Sequence, residues 1–253
     1  MEQKVSKEFM QYWNQARQNE EEGHRFFQQA KYSMAGDKHK KAASLFKKSI
    51  DYIDEKDEEI RKKTLGNHYI ELANYYHSIA TYFFYKGEKE KSLANYQSAI
   101  EEQKKSIEIY ETLKNYKNYK NEINTLKVSL HFYLAYENLC SAQIAFLNGG
   151  YSKAIEYFKI AEIHNNLELE FLSEIGDTER SKRAKARFYY IKGQIFRLEA
   201  LIAMQEANKD AARENYLKAS FAFEEAFKTY PEWKEYKELV EKTKKMALAI
   251  KKN

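Results

Sequence analysis

The chain has 253 residues with 43 Lys+Arg against 38 Asp+Glu, a net charge of +5, and is 43% hydrophobic and 15% aromatic. One proline and eight glycines exclude collagen-like, proline-rich and turn-dense all-β proteins, and the apolar share excludes global disorder. The single cysteine, Cys140, excludes an internal disulfide framework and an all-cysteine metal site; mid-helix among Leu139, Ala142 and Ile144, it reads as a buried, inert thiol.

Apolar residues recur at spacings of three and four, and strand-like alternation never persists. Nine helices are predicted, near 4–35, 38–55, 57–86, 88–115, 119–147, 150–175, 178–206, 208–229 and 231–251. The first begins within the N-terminal segment MEQKVSKEFMQYWNQ, which has neither an apolar h-region nor a small-residue cleavage site, so no signal peptide is expected. Gly36-Asp37 closes it, and the break at Asp54–Asp57 closes the second. The third carries Ile70, Ala73, Tyr76, Ile79 and Phe83 on one face, and its apolar run Ile79–Tyr85 is too short to span a bilayer. Gly87, Asn115–Asn118, Asn148-Gly149-Gly150, Gly176-Asp177 and Tyr230-Pro231 mark the later breaks that the sequence signals. The last helix puts Trp233, Tyr236, Val240, Thr243, Ala247 and Ile250 on one side and lysines on the other, the pattern of a capping helix. With one cysteine and no export signal, a cytoplasmic location is expected.

Repetition is the strongest signal. Four segments, GDKHKKAASLFKKSI, KGEKEKSLANYQSAI, GGYSKAIEYFKIAEI and ANKDAARENYLKASF, place a small residue, an aromatic four later and another small residue three after that. The triplets are Ala42/Phe46/Ser49, Ser92/Tyr96/Ala99, Ala154/Phe158/Ala161 and Ala212/Tyr216/Ala219, with Ala30, Ala80, Ala142 and Ala200 each twelve before the first member. This resembles the second-helix half of the tetratricopeptide repeat (TPR), and Ala226 to Pro231 is similar to that family's terminal A-x4-P. The small residues fall at 42, 92, 154 and 212, intervals of 50, 62 and 58 against about 34 in a standard repeat, so the helices are unusually long. By helix count alone the chain also resembles 14-3-3 proteins. The resemblance implies an all-α stack of long antiparallel helical hairpins in one domain, 1–253, with hairpins near 4–55, 57–115, 119–175 and 178–229 and a capping helix at 231–251. A generic helical bundle is the alternative.

No phosphate-cradling glycine loop, dinucleotide fingerprint, nucleophile elbow or H-E-x-x-H occurs, so no catalytic residue and no cofactor is expected. One E-x-x-H exists, Glu21–His24, and a di-metal bundle needs two, so no metal site is expected. In TPR proteins the first helix of each hairpin lines a concave face. The resemblance implies peptide-binding stripes that include Asn67, Asn74, His77 and Thr81, then Tyr136 and Gln143, then Tyr190, Gln194 and Arg197. Arg180, Arg183 and Arg187 follow the Gly176-Asp177-Thr178 break and are candidate anion-binding residues. Their other reading, a solvated basic face balanced by Glu174 and Glu179, stays open. The chain is expected to bind a peptide or helix of another protein, acidic or phosphorylated. The rival readings are a homodimeric scaffold packed through Phe84 and Phe146, and a basic membrane-surface module. Positive charge spread among so many acidic residues argues against nucleic acid.

Overall fold

A computed structural model describes residues 6–113 and 119–250. The expected break at Asn115–Asn118, the first residues of the predicted first helix and the last of the predicted final one lie outside the described residues. Within them the chain is all-helical: α1 (Lys7–Gln28), α2 (Tyr32–Ser49), a 3-10 turn (Ile50–Tyr52), α3 (Glu58–Tyr85), α4 (Lys89–Glu111), α5 (Lys120–Leu147), α6 (Tyr151–Ile175), α7 (Thr178–Gln205), α8 (Lys209–Thr229) and α9 (Glu235–Ala249). Consecutive helices pack on each other, α1 to α4 in series and α6 to α9 in series. The chain divides inside α5 into two compact units, Met1–Tyr133 and Leu134–Asn253. No described helix is long and apolar enough to cross a membrane.

Local chemistry explains the ends. Ser6, Asp177 and Asn208 accept from backbone N–H groups three residues on, capping α1, α7 and α8. The turns after α3, α5 and α6 use Gly87, Gly149 and Gly176 with positive φ. Two others use alanine in the same left-handed region, Ala30 and Ala207, both at φ 57. Ala30 corrects the first expected boundary. The chain turns there, with Lys31 N–H bonding Phe26 O at 2.9 Å, while Gly36 lies buried inside α2. Gly36 serves packing instead of turning, since a Cβ on it would sit 2.9 Å from Ile79 Cδ1.

The repeated triplets are buried in both units: Ala42, Phe46, Ser49, Ser92, Tyr96 and Ala99 in the first, and Ala154, Phe158, Ala161, Ala212, Tyr216 and Ala219 in the second. Ser92 also donates to Ala80 O at 2.9 Å, tying α4 to α3 where the small residues let their backbones approach. Of the matched alanines only Ala30 departs, being an exposed turn residue. Each unit thus repeats one solution: small residues bring helices close, and a ring fills the groove between neighbours.

Glycines complete this packing in three hairpins. A Cβ on Gly23 would meet the His39 ring at 2.7 Å, on Gly66 the Tyr110 ring at 2.5 Å, and on Gly193 the Phe223 ring at 2.5 Å. Phe223 is fully buried. Gly193→Ala gains about 1 kcal/mol of helix propensity, whereas overpacking costs about 1–3 kcal/mol. The clash wins, and a net loss of about 1 kcal/mol is expected in urea denaturation. Gly193→Ala/Phe223→Leu should recover most of it; a Gly193→Ala chain more stable than the parent would refute the packing argument.

α9 behaves as the expected cap. Tyr236, Val240, Thr243 and Ala247 are buried, with Tyr236 packed beside Ala186, Ala226 and Tyr230 and Ala247 beside Ala200 and Tyr216. It starts at Glu235, after the Pro231 turn, and not at 231 as expected.

Candidate functional site

In the first unit the expected α3 residues turn toward the chain's own groups. Asn67 Oδ1 accepts from the Tyr110 hydroxyl at 2.7 Å, and Thr81 Oγ1 lies 3.5 Å from the Tyr96 hydroxyl. Asn74 Nδ2 donates to Glu71 Oε1 at 3.0 Å, while its Oδ1 accepts from the Tyr133 hydroxyl at 3.4 Å. His77 sits among the rings of Phe27, Phe132 and Tyr133, at centroid distances of 4.8, 5.2 and 5.0 Å. Burial, with smaller contributions from His39 and His24, pulls its pKa down to about 3, so it is neutral at physiological pH.

Next to Asn74 lies a cluster that sequence reasoning missed. Glu71 is 1% exposed, and its other oxygen, Oε2, is 2.8 Å from His39 Nδ1 of α2. Glu20 and His24, one turn apart on α1, face it: the three side chains offer ligand-type atoms all within 4.8 Å of one another. Burial first, and then the Glu71 carboxylate, push the Glu20 pKa up to about 7, although Arg17 bonds it at 2.6 and 2.9 Å. Partial desolvation of its ring, and then His39, hold His24 below its usual value, although its side chain is 54% exposed. Of the E-x-x-H pair picked out in the sequence only His24 joins the cluster, with its Nε2 3.9 Å from Glu20, while Glu21 is exposed.

In the second unit the three expected anion-binding arginines do not form one site. Arg180 bonds Asp177 at 2.6 Å, and Arg183 bonds Glu179 at 3.2 Å, both within the first turns of α7. Arg187, expected as the third anion-binding residue, is already held by groups of its own unit. It is 3% exposed, its Nε donates to Asn165 Oδ1 at 2.6 Å, and its Nη2 donates to Glu168. Asn165 in turn donates to Ala184 O at 3.0 Å. Burial pushes Glu168 up against the opposing pull of Arg187; for Arg187 itself, burial works against the charge and Glu168 and Tyr136 outweigh it.

The remaining expected residues do come together around α7. The Arg187 guanidinium lies 5.3 Å from the Tyr136 ring centroid. Tyr190 stacks on Tyr236 at 5.6 Å, and burial raises its pKa against contributions from Arg197, Gln194 and Gln143. Gln194 is buried. Arg197 rests on Phe146 at 5.2 Å, and its Nε is buried with no hydrogen-bond partner. The core beneath is formed by Leu139 and Ala142 of α5, Ala154 and Phe158 of α6, and Ile191, Ile195 and Leu198 of α7.

These features define an all-α protein of consecutively packed helices, compatible with a helical repeat fold. No protein-family model matches the chain, and no curated protein matches it.

Proposed function

We propose that the chain is a non-enzymatic TPR-like module that binds an acidic or phosphorylated segment of a partner protein, with Arg197 as the anchor. The observation that carries this is the buried, unmatched Arg197 Nε held on the Phe146 ring beside Gln194. A buried donor without an acceptor costs free energy, and a carboxylate or phosphate satisfies it with a charge-assisted bond. Gln143, Tyr190 and Tyr136 supply further polar and aromatic groups of the kind that hold a peptide backbone. The four buried small–aromatic–small triplets support the TPR-like assignment, and a cytoplasmic setting goes with it.

The test is fluorescence anisotropy on the full chain with acidic and phosphorylated peptides and with matched peptides carrying Gln for Glu. A hydrogen bond to a charged group is worth about 1.5–3 kcal/mol, so Arg197→Met should weaken a selected acidic peptide by about 10-fold or more. Arg183→Met, which removes an intrahelical pair, should change it little. Equal binding by the parent and Arg197→Met, or no preference for the acidic peptides, would reject the reading.

A further inference from the structure

We propose that Glu20, His24 and Glu71, all in the first unit, form a binding site for a zinc-class divalent cation.

Three observations on the geometry meet here. The donor set is mixed, one imidazole and two carboxylates, which suits zinc and its first-row neighbours; magnesium and calcium prefer oxygen alone. The donors come from two helices: Glu20 and His24 stand one turn apart on α1, and Glu71 projects from α3, with all three donor atoms within 4.8 Å of one another. Glu71 is also held from behind as a metal-binding carboxylate usually is, by His39 Nδ1 at 2.8 Å on one oxygen and Asn74 Nδ2 at 3.0 Å on the other. The His39 ring can occupy that place because Gly23 carries no Cβ to meet it.

Tetrahedral coordination at about 2.0–2.2 Å draws the donors closer than they stand here. The adjustment falls on the α1 side chains, since the His24 side chain is 54% exposed, whereas Glu71 is 1% exposed and fixed. The exposed His24 gives the cation its path in, and three protein ligands leave a fourth position for water or for a ligand atom. Two carboxylates facing each other also repel, and a dication between them removes that repulsion. Arg17, which bonds Glu20 from the solvent side, is the group a cation would displace.

Calorimetric titration of the chelator-stripped full chain with Zn2+ alone tests the site. One equivalent is expected to bind saturably, with binding at least 10-fold weaker in His24→Ala and in Glu20→Gln, and unchanged in His164→Ala of the second unit. His24 and Glu20 lie at the surface edge of the cluster, so circular dichroism of both variants should match the parent. Co2+ in place of Zn2+ should give visible absorption bands in the parent that are lost in His24→Ala. No saturable binding, or equal binding by the parent and His24→Ala, would overturn the proposal and leave the cluster as a self-satisfied polar contact between α1, α2 and α3. Displacement of the bound Zn2+ by millimolar Mg2+ would overturn the assignment of metal class.

Discussion

Replacing Arg187 by methionine is expected to destabilise the second unit by about 3–5 kcal/mol, the usual cost of removing one partner from a buried ion pair. That is a large share of the roughly 5–15 kcal/mol that holds a domain together. The loss comes from what stays behind. Glu168 is 4% exposed and would keep neither the guanidinium nor a path to water, and Asn165 would lose its Nε donor. Burial already raises the Glu168 pKa, so without Arg187 the carboxyl should be protonated in the folded chain well above its unfolded value. A raised acid pKa gives stability that is present at low pH and lost as pH rises, so Arg187→Met should hurt less at pH 4.5 than at pH 8. The double variant Arg187→Met/Glu168→Met should recover most of the loss, because an apolar pair of similar volume needs no compensation. The two tryptophans make the measurement local: Trp13 lies in the first unit and Trp233 in the second, so fluorescence in a Trp13→Phe background follows the second unit alone. A loss below 1 kcal/mol would mean that Glu168 reaches water.

The second large effect is acid lability at His77. Its pKa falls from 6.5 to about 3 through burial among Phe27, Phe132 and Tyr133. Between those values the unfolded chain binds the proton and the folded chain does not, so stability falls as pH falls from 6.5 toward 3. The full penalty is about 3–5 kcal/mol at 1.36 kcal/mol per unit; the small exposure His77 retains favours the lower end. Glu20 acts with the opposite sign between pH 4.5 and 7, because its pKa is raised to about 7. The useful quantity is therefore the difference between the parent and His77→Phe, followed through Trp13 in a Trp233→Phe background. That variant should keep its stability at pH 4 while the parent loses much of its own. Parallel pH profiles would show that the imidazole is hydrated.

Most of the fold was legible because its causes are local. Small–aromatic–small triplets report helices in close approach, and all four proved buried. The first turn was not legible, because its left-handed residue is Ala30, which carries no turn signal, whereas the Gly36-Asp37 pair that does is helical. The stripe on α3, read through Asn67, Asn74, His77 and Thr81, passes over Glu71, which lies three residues before Asn74, bonds to it and is buried. Nothing in the sequence pairs Glu71 with His39 or Arg187 with Glu168, since these partners lie on different helices and charged residues ordinarily read as surface. Around Arg197 the stripe was readable because Gln194, Tyr190 and Arg197 share one face of one helix.

The glycines that receive rings have a mechanical consequence. His39 faces Gly23, Tyr110 faces Gly66 and Phe223 faces Gly193, so in three hairpins a bulge on one helix sits in a notch on the other. Sliding either helix by a turn, about 5.4 Å, would carry the ring out of its notch and onto a side chain. Each ring therefore works as a detent against axial slip of its hairpin.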